Sequence, residues 1–178
     1  MQAVLFLLDA VVGFFATLFL LRFIMQWFRV SFSGQLGTFV VQLTNWAVKP
    51  LRRVIPGMGG FDWASLLPAF LLELGFAFAA LGLSGALGNA ESSQLLPWIL
   101  MHTLRSVLRL GVYIFIAALI LQAVMSWINP YSPLAGPLNA FTRPFLAPFR
   151  RLIPPIANVD LSPLVFLLIL QILMFWLP

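Results

Sequence analysis

Long apolar stretches alternate along the chain with more polar segments that carry most of its charge. Four stretches approach or exceed the roughly 20 apolar residues that a helix needs to cross a bilayer: 5–28, 62–83, 108–128 and 161–177. Hydrophobic residues make up 62% of the chain and charged residues only 8%, whereas a soluble domain carries about 25% charge. The pattern therefore predicts an all-α integral membrane protein with four transmembrane helices.

The predicted spans form two copies of one unit. The segment Pro50-Leu51-Arg52-Arg53-Val54-Ile55-Pro56 returns as Pro148-Phe149-Arg150-Arg151-Leu152-Ile153-Pro154, and Asp62 returns as Asp160 at the same offset. Each copy is then a hairpin of two spans, and the copies share one orientation as parallel repeats. The predicted organisation is repeat 1 at 1–83 with connector 29–61, a Gly- and Ser-rich linker at 84–107, and repeat 2 at 108–178 with connector 129–160.

Both connectors have the spacing of amphipathic helices at the membrane surface, with a basic polar face and an aromatic apolar face. Pro50 is expected to divide the first helix, and Pro144 and Pro148 to prevent a continuous helix in the second. The positive-inside rule places both connectors in the cytoplasm and both termini outside. The residues expected to contact anionic lipid or a partner protein are Lys49, Arg52, Arg53, Arg143, Arg150 and Arg151, with Trp46, Phe145 and Phe149 as interfacial anchors. Two interpretations stay open, since such arginines also serve only to fix topology.

Several polar residues lie within the predicted spans, where ionisable groups are costly unless paired. Depth along the hairpin favours a pair between Arg22 and Glu73, whose counterparts in repeat 2 are Gln122 and Gln171. Asp9 aligns with Arg109, which suggests a salt bridge between the repeats near the outer side. These groups hold helices together by hydrogen bonds or line a hydrated pathway for an ion or small solute.

Catalytic and cofactor chemistry has little support in the sequence. It contains no cysteine and one histidine, and no phosphate-binding loop, nucleophile motif or metal-ligand spacing is present. Asp62 and Asp160 precede spans, so helix N-capping explains them. We expect no enzyme activity, no cofactor, no metal and no direct binding of nucleic acid.

The second repeat carries the residues of a known pattern: Ser126-Trp127-Ile128-Asn129-Pro130-Tyr131-Ser132-Pro133, then Thr142-Arg143-Pro144, the arginine unit from Pro148 to Pro154, and Asp160-Leu161-Ser162-Pro163. The chain resembles the YggT family of small bacterial and plastid membrane proteins. Repeat 1 keeps the arginine unit but lacks the Asn-Pro step after Trp27. The resemblance implies an accessory protein of the bacterial inner membrane, associated with osmotic or salt tolerance and with cell division, and no agreed biochemical activity.

Two functional hypotheses follow. The first is a non-enzymatic membrane scaffold whose basic cytoplasmic connectors bind anionic lipid or a partner protein. The second is a small monovalent-cation channel or transporter component that uses Arg22 and Glu73. Because four helices enclose only a narrow pore, the second hypothesis calls for a homo-oligomer.

Overall fold

The structure, a computed structural model, places six helices in the described part of the chain. It describes residues 1–31, 34–55, 57, 59–85, 92–129, 131–152 and 160–177, apart from the side chains of 92–94 and 127. The repeated prolines Pro56 and Pro154 and residues 86–91 of the predicted linker lie outside these residues. The helices are α1 Gln2–Trp27, α2 Gln35–Val54, α3 Trp63–Ser84, α4 Ser92–Ile128, α5 Ala135–Leu152 and α6 Ser162–Phe175.

Three helices, α1, α3 and α4, are long and apolar enough to cross a membrane. The first two fall within three residues of the spans predicted at 5–28 and 62–83, which confirms the all-helical, membrane-like character of the chain. Helix α6 is apolar but has 14 residues, or about 21 Å at 1.5 Å per residue, against a hydrocarbon core of about 30 Å. The fourth span and the tandem-hairpin arrangement therefore stay predictions.

Helix α4 begins earlier than expected. The predicted linker ran to residue 107, but α4 starts at Ser92 and continues to Ile128 without a break. Between 95 and 107 only Pro97 disfavours a helix, so this part of the linker prediction was wrong. The glycines instead end α3, because Gly85 adopts a left-handed φ of 73° and donates its N–H to the carbonyl of Gly82.

The two connector helices, α2 and α5, run straight through their prolines, so both expected breaks were wrong. Pro50 lies inside α2, and Pro144 and Pro148 lie inside α5. All three prolines are exposed. The carbonyl that each proline deprives of a backbone donor therefore faces the outside, where water or headgroups can satisfy it. On the opposite face of α2, Val40, Thr44 and Val48 are fully buried and hold the helix in place.

The two halves of the chain share one packing plan. In the first half α1 packs against α3, and the connector helix α2 contacts both; in the second half α4 packs against α6, and α5 contacts both. The halves meet where α4 contacts α1 and α3. Each connector helix is therefore seated on the hairpin that it joins, rather than standing apart from the bundle.

A cluster of phenylalanine rings joins the halves at the end of α1. The ring of Phe28, which follows α1, lies 5.4 Å from the rings of Phe141 and Phe145 in α5. Phe115 of α4 stacks on Phe141 at 4.3 Å and meets Phe145 edge-on at 4.6 Å. Phe166 of α6 completes the set at 5.9 Å from Phe145. Four elements thus converge on one aromatic centre, which we call the phenylalanine cluster.

The chain leaves α1 through a tight turn at Arg29, whose φ is 52°. Arg29 donates its N–H to the carbonyl of Gln26 (3.1 Å), and Val30 donates to that of Met25 (2.8 Å), the two bonds of a Schellman motif. The left-handed position usually holds glycine, because a side chain there costs free energy. Burial of Val30 against the end of α1 offsets that cost, and the turn directs the chain toward α2.

Candidate functional site

An arginine–aspartate pair fastens the end of the first connector helix to the start of the next apolar helix. The Arg52 guanidinium donates from Nε and Nη2 to the two carboxylate oxygens of Asp62, at 3.3 and 2.5 Å. Its Nη2 also donates to Oε1 of Gln26 in α1 at 2.8 Å. Ser65 donates its hydroxyl to the same Asp62 carboxylate at 2.5 Å. Three helices, α1, α2 and α3, therefore meet at the Arg52–Asp62 pair.

Asp62 is only 3% exposed, whereas Arg52 is 44% exposed. Burial opposes ionisation of the Asp62 carboxyl, but the hydrogen bonds from Arg52 and Ser65 and the charge of Arg52 outweigh burial and hold its pKa below the usual value. The expected capping role was wrong for this residue: Asp62 stands at the N-cap position of α3, but its side chain caps no backbone N–H. The carboxylate instead accepts hydrogen bonds from the side chains of Arg52 and Ser65.

The second half repeats this pair at the equivalent positions. Arg150 Nε donates to a carboxylate oxygen of Asp160 at 2.7 Å, and the backbone N–H of Ser162 donates to the other oxygen at 2.9 Å. Asp160 is 39% exposed, so its pair is far more solvated than that of Asp62. Burial again opposes ionisation, yet the bonds from Ser162 and Arg150 hold the pKa of Asp160 below the usual value. The N-cap residue of α6 is Leu161 rather than Asp160, so the expected N-cap position was wrong by one residue, although the Asp160 carboxylate accepts the backbone N–H of Ser162.

Arg22 is buried in α1, and its partners lie on the connector helix. Its Nη1 donates to Oγ1 of Thr44 at 2.7 Å and to Oδ1 of Asn45 at 3.1 Å. Thr44 in turn donates its hydroxyl to the carbonyl of Val40 at 2.6 Å. The guanidinium is therefore held by neutral oxygens, and its buried Nε has no hydrogen-bond partner among the described residues.

The second half places an uncharged copy of this contact at the equivalent position. Gln122 of α4 donates from Nε2 to Oδ1 of Asn139 at 2.7 Å. Its Oε1 lies 2.7 Å from the hydroxyl of Thr142, which also reaches the carbonyl of Leu138 at 2.9 Å. Thr44 and Thr142 are both fully buried. A polar residue of the apolar helix thus meets a buried threonine of the connector helix in each half.

The expected pairs inside the spans did not form. Among residues 1–31, 34–55 and the other described ranges, the ion pairs within 4 Å are Arg52–Asp62 and Arg150–Asp160. Arg22 is therefore not paired with Glu73, and Asp9 is not paired with Arg109. Depth alone suggested both pairs, but connector helix α2 supplies nearer partners for Arg22 from its own hairpin.

The other polar residues predicted to pair inside the spans do not contribute to the contacts of Arg22 and Gln122 with the connector helices. Glu73 is buried in α3 and is acted on electrostatically by Asp9 and Arg109. Gln171 of α6 is exposed, and Gln122 bonds to α5 instead of to it. The cation-pathway hypothesis is therefore left without the Arg22–Glu73 pair on which it depended.

The residues predicted to bind lipid or a partner divide into two groups. Arg52 and Arg150 are engaged by aspartates, and Phe145 and Phe149 pack on other rings, including Phe166. The other members of the set are all exposed and take part in no ion pair among the described residues: Lys49, Arg53, Arg143, Arg151 and Trp46. We call the four cationic residues of this second group the basic surface.

Sequence reasoning predicted no hydrogen-bond partner for Thr44, Thr142 or Ser65. Thr44 and Thr142 stand at the same offset as the arginine units, and that coincidence was the signal that could have identified them. The ten-residue spacing from arginine to aspartate, present twice, likewise indicated a pair. No comparable signal marked Ser65, because its counterpart in the second half is Pro163.

The fold contains three helices that are long and apolar enough to cross a membrane, and polar contacts fix the two connector helices against them. These features define the class: a helical membrane protein. The CCB3/YggT family model matches residues 1–81 and 101–177, and the chain belongs to this family. An uncharacterized protein of Pseudomonas aeruginosa is 36% identical over 96% of the chain and 86% of its own length. The uncharacterized protein YggT of Escherichia coli K12 is 35% identical over 97% of the chain and 88% of its own length. No solved structure matches the chain.

Proposed function

We propose that this protein is a non-enzymatic scaffold of the bacterial inner membrane, built from two tandem hairpins, whose connector helices bind anionic lipid headgroups at the cytoplasmic surface. The observation that supports the proposal is that the two neighbouring arginines of each connector helix have different surroundings. In each half one arginine is neutralised by an aspartate, and the neighbouring arginine, Arg53 or Arg151, is exposed.

In this arrangement the ion pair fixes the position of each connector helix, and the neighbouring arginine stays available to a ligand. The Arg52–Asp62 and Arg150–Asp160 pairs hold the helix ends against the apolar bundle, so the basic surface does not have to be ordered when a ligand arrives. Anionic lipids attract a basic residue near the membrane surface by about 1 kcal/mol each. Trp46 is 67% exposed beside Lys49, and tryptophan favours the headgroup level of a bilayer.

Neutralising one residue of the basic surface should weaken the attraction for anionic lipid about fivefold, the equivalent of about 1 kcal/mol. The variant is Arg53→Gln, and the double variant with Arg151→Gln should lose about twice that free energy. The measurement is the enrichment of phosphatidylglycerol over phosphatidylethanolamine around the protein in nanodiscs of mixed composition.

The matched control is Arg105→Gln, which removes one exposed charge from α4 on the side that we assign to the outside. Arg105→Gln should leave the enrichment at the cytoplasmic leaflet unchanged. Equal effects of Arg53→Gln and Arg105→Gln would contradict a specific role for the basic surface. They would mean that the enrichment of anionic lipid depends only on the net charge of the protein.

The proposed topology predicts a labelling pattern that tests the fourth span. The chain has no cysteine, so single cysteines can be introduced at exposed Arg53 and Arg151, at Ser84, the last residue of α3, and at Leu177, which follows α6. In intact cells a membrane-impermeant maleimide should label the variants at 84 and 177 and should spare those at 53 and 151. Protection of residue 177 would show that α6 does not cross, and opposite results at 53 and 151 would overturn the tandem arrangement.

A further inference from the structure

A buried glutamate lies halfway along a helix that is long and apolar enough to cross a membrane. Glu73 is the eleventh of the 22 residues of α3, so it stands about 15 Å from the start of the helix at 1.5 Å per residue. That distance is half of a hydrocarbon core of about 30 Å. The side chain is 7% exposed. An ionisable group at such a depth is costly unless it is paired or neutralised, so Glu73 needs a chemical explanation.

Glu73 has no hydrogen bond and no ion pair with another described residue. Ala69 and Ala77, one turn before and one turn after it in α3, are both buried, and their methyl groups offer no polar atom. The charged side chains that act on Glu73 electrostatically are Asp9 of α1 and Arg109 of α4. Helix α2 also contacts α3, but none of its charges acts on Glu73 in this way. The carboxyl group is therefore influenced by two charges of opposite sign, and neither of them is in contact with it.

The balance of these charges selects a proton as the partner of Glu73. The charges of Asp9 and Arg109 offset each other, so an ionised Glu73 would leave one net negative charge among the three side chains. An uncompensated charge in an apolar environment is very costly, and such a group takes up a proton instead. Protonation of Glu73 brings the three side chains to zero net charge without any further partner.

A row of polar side chains on α4 leads toward Glu73 from the end of the helix that we assign to the outer side. Thr103 and Ser106 are 0% and 6% exposed. Thr103 lies one turn before Val107, which belongs to the core that residues of α1 and α3 form, and the spacing of three residues keeps Ser106 beside Thr103. His102, which precedes Thr103, is partly exposed. We call His102, Thr103 and Ser106 the polar row.

The polar row ends near Glu73 and contains buried atoms without partners. Arg109, whose charge acts on Glu73, lies three residues beyond Ser106 on the same helix. The hydroxyl of Thr103 and Nδ1 of His102 are buried and form no hydrogen bond within the described part of the chain. Groups of this kind bind ordered water, and imidazole groups and chains of water transfer protons. The polar row therefore offers protons a route between the outer surface and Glu73.

We propose that Glu73 is a proton-binding site, which exchanges its proton with the outer side of the membrane through the polar row. In this exchange an O–H bond of a hydronium ion at the outer surface breaks, and an O–H bond forms at a carboxylate oxygen of Glu73. The occupancy of the site then follows the pH of the outer compartment. The inference rests on the topology of the proposed function only for which side is the outer one, and it does not involve the basic surface.

The surroundings of Glu73 favour a proton over a metal cation. Within the described residues, no group of three or more histidine, aspartate and glutamate side chains could hold a metal ion. Hard cations such as Mg²⁺ and Ca²⁺ need about six or more oxygen ligands, whereas Glu73 lies between two alanines on its own face of α3. A proton needs only one carboxylate oxygen.

Infrared spectroscopy of the full-length protein in liposomes at neutral pH tests whether Glu73 holds a proton. A protonated carboxylic acid has a C=O stretching band that ionised carboxylates lack, and the chain has five acidic side chains that could contribute to it. The unaltered protein should show this band, and Glu73→Gln should lose it completely. The matched control is Asp62→Asn, which removes the buried carboxylate of an ion pair and should keep the band. Absence of the band from the unaltered protein, or its persistence in Glu73→Gln, would overturn the proposal.

Dicyclohexylcarbodiimide tests the side of exchange in the unaltered chain. This reagent enters apolar sites, where a protonated carboxyl group adds across one of its N=C bonds, and the adduct rearranges to a stable N-acylurea. Peptide mass spectrometry then measures the fraction of Glu73 that is modified. In right-side-out membrane vesicles with a buffered neutral interior, an alkaline external medium should lower that fraction by up to about tenfold for each pH unit. In inverted vesicles the same change of the external medium should leave the fraction unaltered.

The controls separate this site from the basic surface. Arg53→Gln with Arg151→Gln should respond as the unaltered chain does, and the cysteine labelling establishes separately which face is the outer one. Equal responses in the two kinds of vesicle, or a response in inverted vesicles alone, would overturn exchange with the outer side. Protection of Glu73 from the reagent by sodium or potassium ions at constant pH would overturn the assignment to a proton, because a metal cation would then occupy the site.

Discussion

Replacing Phe141 by alanine should lower the free energy of unfolding by about 3 kcal/mol, the largest effect that we expect from one side chain. Phe141 is buried between Phe28 and Phe115 in the phenylalanine cluster. In a bilayer the gain from excluding water is small, so stability depends on close packing, and a vacated ring position leaves its neighbours without contacts. Unfolding with sodium dodecyl sulfate, followed by circular dichroism, measures the difference.

The control is Phe39→Ala on the first connector helix. Phe39 is 50% exposed, so its loss should change the free energy of unfolding by less than about 1 kcal/mol. Similar losses for the two variants would mean that the phenylalanine cluster does not join the halves in the way described.

Removing the buried carboxylate should destabilise the protein much more than removing its exposed counterpart. Asp62→Asn removes the negative charge that pairs with Arg52 and replaces one of the two acceptor oxygens by an NH2 donor, at a site that is 3% exposed. We expect a loss of about 2 kcal/mol. Asp160→Asn breaks a pair whose carboxylate is 39% exposed, and the expected loss is less than about 1 kcal/mol. The same detergent unfolding experiment compares the two variants directly.

The pH dependence of stability gives the same pair a second test. The pKa of Asp62 is below its usual value in the folded protein, so the carboxylate contributes stability at every pH above its unfolded pKa of about 3.9. That contribution is lost as the pH falls through the lower pKa of the folded state. The unaltered protein should therefore lose stability between pH 5 and pH 2 (roughly the interval in which such a carboxyl titrates), and Asp62→Asn should show a shallower loss. Parallel curves would exclude Asp62 as the titrating group.

The repeats in the sequence contained information on ion pairs that the sequence analysis did not use. Equal spacing of Arg52 with Asp62 and of Arg150 with Asp160 corresponds to two real ion pairs. Hydropathy located α1 and α3 well, because an apolar stretch flanked by polar residues has few other solutions in a membrane protein. It placed the start of α4 too late, since the polar residues of 102–109 interrupt an apolar pattern without interrupting a helix.

Predictions failed where they depended on the distance between elements and where they depended on local preference alone. Arg22 and Glu73 were matched by depth in two antiparallel helices, but depth says nothing about which way a side chain points around its helix. The seating of α2 on α1 decided the partner of Arg22 instead. Pro50, Pro144 and Pro148 were expected to end helices on local grounds, and tertiary burial of the opposite helix face overrode that preference.

The position of Phe28 has a consequence for biosynthesis. Its ring belongs to the first half of the chain but is surrounded by side chains of the second half. A nascent hairpin of α1 and α3 therefore forms before most partners of that ring have been made, and the set is complete only when the ribosome has delivered α5. During this interval the early half is open to association with chaperones or with other nascent chains, and completion of the carboxyl-terminal half closes it.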